Sequence, residues 1–216
     1  MISTGRPYTI NWRNIKSENN KFTLIKTLTK NIIISPIGSV EKEIIYQLAN
    51  QIAMRYDFTY QIGKRIDNIE FSYHKARKQY DSKEILKYLI KLCPSDTFRF
   101  IAITDKDIFV PILQYIFGLA QIKGSCLIVS LHRLWPQFYN QPPDFDLLLL
   151  RAEKTIIHEL GHTFSLTHCR NKNCVMYSST KIEDTDAKPP FYCPTCFELI
   201  KWYLIKHFDL TLNQNA

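Results

Sequence analysis

Five consecutive residues, His158-Glu159-Leu160-Gly161-His162, with a third histidine at His168, constrain this chain most, because they call for a helix and also dictate where it must stop. At about 3.6 residues per turn, His158 and His162 share a helix face roughly one turn apart, so both rings can meet a single ion. Glu159 is poorly placed to join those two rings as a ligand, yet well placed to reach a water held by the same ion. His168 lies six residues past His162, and a straight helix would turn it away from the first two rings. The helix is therefore expected to end near Ser165. Three neutral imidazoles leave one position for water, whose pKa zinc lowers to about 7. The expected chemistry is hydrolysis on zinc, with Glu159 as general base. The alternative is an amphipathic helix whose histidines merely face solvent or core.

A second cluster follows at once. Four of the six cysteines, Cys169, Cys174, Cys193 and Cys196, fall within one short stretch. Cys193-Pro194-Thr195-Cys196 is a C-x-x-C knuckle, and with Cys169 and Cys174 it offers four thiolates, the closed tetrahedral set of a structural zinc. Thiolates suit zinc better than calcium or magnesium. Two disulfides are the competing interpretation, as in a secreted chain. The sequence opens with nothing resembling a secretory signal, and Cys93 and Cys126 sit in apolar surroundings as expected for buried reduced thiols, so a cytoplasmic location is expected.

His158 to His168 resembles the elongated zinc motif of the metzincins, and Cys169, Cys174 and Met176 directly after it resemble the archaemetzincins. In that family the pattern runs H-E-x-x-H-x-x-G-x-x-H-C, then C, a nearby M and a final C-x-x-C, and the likeness extends here from His158 to Cys196. The resemblance implies a zinc peptidase with ligands His158, His162 and His168, base Glu159, a methionine turn at Met176 beneath the metal, and a second zinc held by Cys169, Cys174, Cys193 and Cys196. Two zinc ions per chain and a peptide substrate are thus implied. Two positions depart from the pattern. Ser165 stands where the family carries glycine, and the interval from Met176 to Cys193 is one residue short, which a loop absorbs. A serine that keeps a left-handed turn at 165 costs on the order of 1 kcal/mol, which bound zinc can offset. Tyr177 follows the methionine one residue too early to match the tyrosine that approaches the metal in some metzincins.

With 216 residues, 45% of them hydrophobic, and no linker-like tract, the chain is expected to form one domain over 1–216. An N-terminal α/β part would run to about residue 165, with the methionine turn and the four cysteines from about 166 onward. The fold expected is α/β, a mixed twisted sheet with packed helices. Residues 31–35 and 98–104 read as apolar strands, and Phe58, Tyr60 and Ile62 alternate as another. Pro36-Ile37-Gly38 reads as a turn, and so does the segment 117–120. Ile44, Ile45, Leu48, Ile52 and Ala53 repeat at helical spacing, as do Ile85, Leu86, Leu89 and Ile90 after a helix start at Ser82. Residues 126–131 again look like a strand, 146–164 like the long helix of the histidines, and 197–208 like a last helix. The stretch from Gly118 to Leu131 also resembles the archaemetzincin segment that feeds an edge strand, and metzincins hold an extended peptide against such an edge.

The net charge of +8 brings Lys64, Arg65, Lys75, Arg77 and Lys78 close to Phe71, Tyr73 and Tyr80, but no nucleic-acid motif accompanies them, and a solvated basic face is expected. No apolar run is long enough to span a bilayer. His74 and His207 are expected to be structural or exposed, and His132 is a candidate substrate contact. An alternative to the peptidase is a catalytically weak, zinc-stabilised binding module in which the basic face recruits an acidic partner.

Overall fold

Strands of a parallel sheet covered on both faces carry apolar residues at nearly every position, and β5 (Arg99–Thr104) and β8 (Cys126–Ser130) are buried along their whole length. The computed structural model describes residues 30–56 and 58–208. Its main sheet has the order β2-β1-β5-β8-β7, with β1 spanning Asn31–Ile37, β2 Thr59–Ile62 and β7 Gly118–Ala120. All neighbours are parallel except β7, which pairs antiparallel with β8 and forms one edge. Alternation sorts the side chains into two layers. Ile101, Ile103, Leu127 and Val129 face α1 (Lys42–Tyr56), α3 (Phe145–Thr163) and α5 (Pro194–Phe208), whereas Phe100, Ala102, Cys126 and Ile128 face α2 (Ser82–Leu92). The result is a helix–sheet–helix sandwich, as expected from the sequence.

Four local expectations are corrected. β1 runs on through Pro36 to Ile37, and the chain turns only at Gly38, with φ +73°. Pro36 O accepts from Ile66 N on the flank where β2 has already ended, so the missing proline N–H removes no ladder bond to β5. Residues 118–120 form strand β7 rather than a turn, because pairing with β8 overrides the turn preference of Gly118. Ile90 is 40% exposed; it lies roughly 90° around α2 from the centre of the stripe made by Ile85, Leu86 and Leu89. The last helix begins at Pro194, since proline at a first helical position gives up only an N–H that has no helical partner anyway.

Two features had no clear periodicity to announce them. A small sheet joins β3 (Tyr73–His74), β4 (Gln79–Asp81) and β6 (Ile108–Phe109). Arg77 ties it down by donating to Leu113 O and Gln114 O, each at 2.7 Å, and stacks 4.0 Å over Phe109, so this cation of the expected basic face works internally. The short helix α4 (Ile182–Ala187) is held by α3. Lys154 Nζ donates to Thr185 O and Asp186 O at its C-terminal end, and Arg151 grips the Asp186 carboxylate with two bonds of 2.7 Å. Cations suit that end of a helix, where carbonyls lack intrahelical partners. Among the described residues no helix is long and apolar enough to cross a membrane.

Candidate metal centres

Asp144 starts α3 by accepting from Leu147 N at 2.9 Å, and Leu148, Ala152, Ile156 and Leu160 bury the helix against the sheet. Its far end is sharp. Ser165 takes φ +73°, its N–H donates to His162 O, and Leu166 N–H donates to Gly161 O, both at 3.0 Å. These are the two bonds of a Schellman motif, closed here by a serine in the left-handed conformation that usually falls to glycine. Leu166 packs into the same core cluster as Leu160, the hydrophobic contact that accompanies such an ending. The chain turns out of the helix and brings His168 back toward the other two rings.

The three expected histidines do converge. Ring centroids lie 4.8 Å apart for His158 and His162, 5.2 Å for His158 and His168, and 5.1 Å for His162 and His168. Their candidate donor atoms all fall within 4.8 Å of one another. His158 Nδ1 donates to Val175 O and His162 Nδ1 to Leu166 O, each at 2.8 Å. A carbonyl only accepts, so both Nδ1 atoms carry protons and both Nε2 atoms present lone pairs. Those lone pairs face each other at 3.2 Å. Two neutral acceptors so close repel unless a cation lies between them, which is the fit expected of a metal site. Burial first, and then the nearby Lys188 ammonium, hold His158 well below the ordinary histidine range; burial also lowers His162 and His168. All three thus favour the unprotonated state that binds metal.

Met176 is fully buried, in the segment that supplies Val175 O to His158, and its Sδ approaches α3 at Gly161. Gly161 makes this approach possible, since a Cβ there would overlap Met176 Sδ and come within 3.2 Å of Tyr192 Cε1. Tyr192 in turn donates to Ile157 O at 2.7 Å and accepts from Tyr56, fastening the segment ahead of Cys193 onto α3.

Glu159 is only 6% exposed. Burial pushes its carboxyl up to about 8, against the pull of Lys188. Lys188 carries no sequence signal. It follows α4, is 3% exposed, donates to Tyr177 O at 2.9 Å, and lies 3.3 Å from His158 Nδ1. Burial brings its own pKa down to about 8, with Glu159 opposing. Only the fold of residues 177–188 over α3 could have revealed it.

Cys169, Cys174, Cys193 and Cys196 form the second convergent group, again with all donor atoms within 4.8 Å. Every cysteine is a free thiol, so the paired-disulfide alternative is not realised; Cys126 is buried and Cys93 half-buried. Cys193 N donates to Cys174 Sγ at 3.3 Å and Asn171 N to Cys169 Sγ at 3.4 Å. Backbone N–H groups aimed at sulfur favour thiolates, and four thiolates fit a closed zinc site. Cys169 N also donates to Met176 O at 2.9 Å, joining the two clusters. His132 packs edge-on against Phe138 and His74 against Phe109, outside both groups, and His207 packs on Tyr203 in α5.

Set beside known proteins, residues 24–202 match Peptidase family M54. The archaemetzincin of Methanocaldococcus jannaschii is 37% identical over 170 residues, covering 79% of this chain and 92% of the relative. The crystal structure of archaemetzincin from Archaeoglobus fulgidus, complexed with malonate, superposes with a TM-score of 0.69 at 30% identity, covering 78% of this chain and 99% of that one. A zinc-dependent peptidase from Methanocorpusculum labreanum gives a TM-score of 0.69 at 25% identity, with 78% and 99% covered.

Proposed function

Because this chain belongs to Peptidase family M54, the archaemetzincins, and is a zinc metallopeptidase, we propose that His158, His162 and His168 hold its catalytic zinc and that Glu159 is the general base. The observation that carries the assignment is the facing pair of Nε2 lone pairs, 3.2 Å apart, with each Nδ1 already committed to a carbonyl. Zinc, when bound, brings the pKa of a water down to about 7 and polarises a peptide carbonyl. The protein residues do the rest. Glu159 takes the proton from the attacking water and returns it to the leaving amine, and burial eases the protonated half of that cycle by disfavouring its charge. Lys188 supports the opposite half through its positive charge. The free edge of β7 is suited to grip an extended peptide by backbone hydrogen bonds beside Glu159.

Cys169, Cys174, Cys193 and Cys196 would hold a second, structural zinc, so that the part of the chain from about residue 166 contributes His168, Met176 and this zinc to one peptidase unit with the α/β part. The test is Glu159→Gln. The variant should retain two zinc ions per chain by metal analysis while turnover falls about 10²–10⁴-fold, the usual contribution of a positioned base. Undiminished cleavage would eliminate the role of Glu159, and a zinc content of one would eliminate one of the two sites.

A further inference from the structure

We propose that Gly118, on the edge strand, is a positioning residue for Glu159: the strand lacks a side chain there so that the carboxylate can stand against it at the place where the peptide is attacked. A Cβ built on Gly118 would lie 2.7 Å from Glu159 Cγ, 2.8 Å from Oε1 and 3.0 Å from Cδ. The first two are closer than a methyl group approaches, the third is tight, and all three belong to one side chain. The φ of Gly118 is not in the left-handed region, so alanine fits its backbone, and the three nearest atoms that its methyl would meet all belong to Glu159.

The register of β7 explains why the conflict falls at this residue. Phe117 O accepts from Ser130 N, and Gln121 N donates to Cys126 O, so the odd-numbered residues turn their backbone groups toward β8. Alternation then leaves the N–H and C=O of Gly118 and Ala120 on the open edge. A peptide adding to that edge meets backbone at Gly118 and the Glu159 carboxylate directly beside it. Glu159 is 6% exposed, and its Cγ, Cδ and Oε1 lie against the backbone of Gly118. Gly118 is thus a wall that limits where this carboxylate can stand.

A methyl group at 118 would therefore move the carboxylate while leaving zinc and strand in place. The inference rests on Glu159 being the base, and a double-mutant cycle separates the two claims. Gly118→Ala should lower kcat about 10- to 100-fold, part of the worth of a well-placed base, with KM changed no more than about threefold and both zinc ions retained. In a Glu159→Gln background, already deprived of the base, the same substitution should change the residual rate less than about threefold, because residues acting as one unit are not additive. Equal proportional losses in the two backgrounds would overturn the role of Gly118, and so would a raised KM with kcat intact, which would mark Gly118 as a peptide contact only. If Glu159→Gln itself keeps full activity, the base assignment fails and the inference fails with it. If Gly118→Ala does not fold, Gly118→Ala/Glu159→Asp is the second variant: the shorter acid withdraws from the methyl, so recovery of fold and zinc content supports the contact and continued misfolding refutes it.

Discussion

Replacing Ser165 with glycine should stabilise this protein, and the size of the gain follows from the helix ending. Ser165 sits at φ +73°. There a residue with a Cβ suffers a clash worth roughly 1–2 kcal/mol that glycine avoids. Glycine also frees the unfolded chain, which takes back about 0.4–1 kcal/mol. The two hydrogen bonds that close the helix, Ser165 N to His162 O and Leu166 N to Gly161 O, use backbone atoms and survive the change. Among the described residues the serine hydroxyl makes no hydrogen bond, so nothing else is removed. The net expectation is about 0.5–1 kcal/mol of added stability, or a rise in Tm of about 1–4 °C for a chain of this length. Reversible denaturant unfolding at saturating zinc measures it, with Ser165→Ala as control. Alanine keeps the strain and loses only the hydroxyl, so it should stay near the parent. A glycine variant no more stable than the parent, or an alanine variant weakened by more than about 1 kcal/mol, would refute the strain account and assign the serine side chain a bond of its own.

Two further outcomes are expected. Cys174→Ser should reduce bound zinc from two ions to one and destabilise the protein by about 3 kcal/mol or more, since structural zinc binding is folding free energy; two ions with unchanged unfolding would exclude the four-cysteine site. Asp184 accepts from Thr180 N, Thr180 Oγ1 and Lys181 N at 2.9, 3.0 and 3.1 Å. Burial pushes its carboxyl up, but these bonds outweigh burial and hold it below the usual range. A depressed folded pKa contributes stability that is present above the unfolded pKa and lost as pH falls through the folded one. The Tm gap between parent and Asp184→Ala should therefore be open at neutral pH and close in acid, and a gap that persists once carboxylates are protonated contradicts the linkage.

Local chemistry dictated much of this molecule. The interval from His158 to His162 presupposes a helix, and the six residues to His168 require that helix to break at a turn. Cysteine spacing marked a second site, and apolar runs with helical stripes between them implied an α/β sandwich, because periodicity reports which face of an element is buried. Where local preference and pairing compete, sequence is a poor guide. Gly118 favours a turn by itself, yet β8 draws it into a strand. Arg77 resembles any solvated cation until the carbonyls of Leu113 and Gln114 are beside it. Lys188 has no motif, and its ammonium acquires a role only because α4, fastened by Lys154 and Arg151, carries the chain back over His158. The sequence alone determined which atoms could bind zinc, since ligand chemistry belongs to residue type and spacing. Only the tertiary structure decided what surrounds those atoms, because burial and the wall that Gly118 offers Glu159 are properties of distant segments brought together.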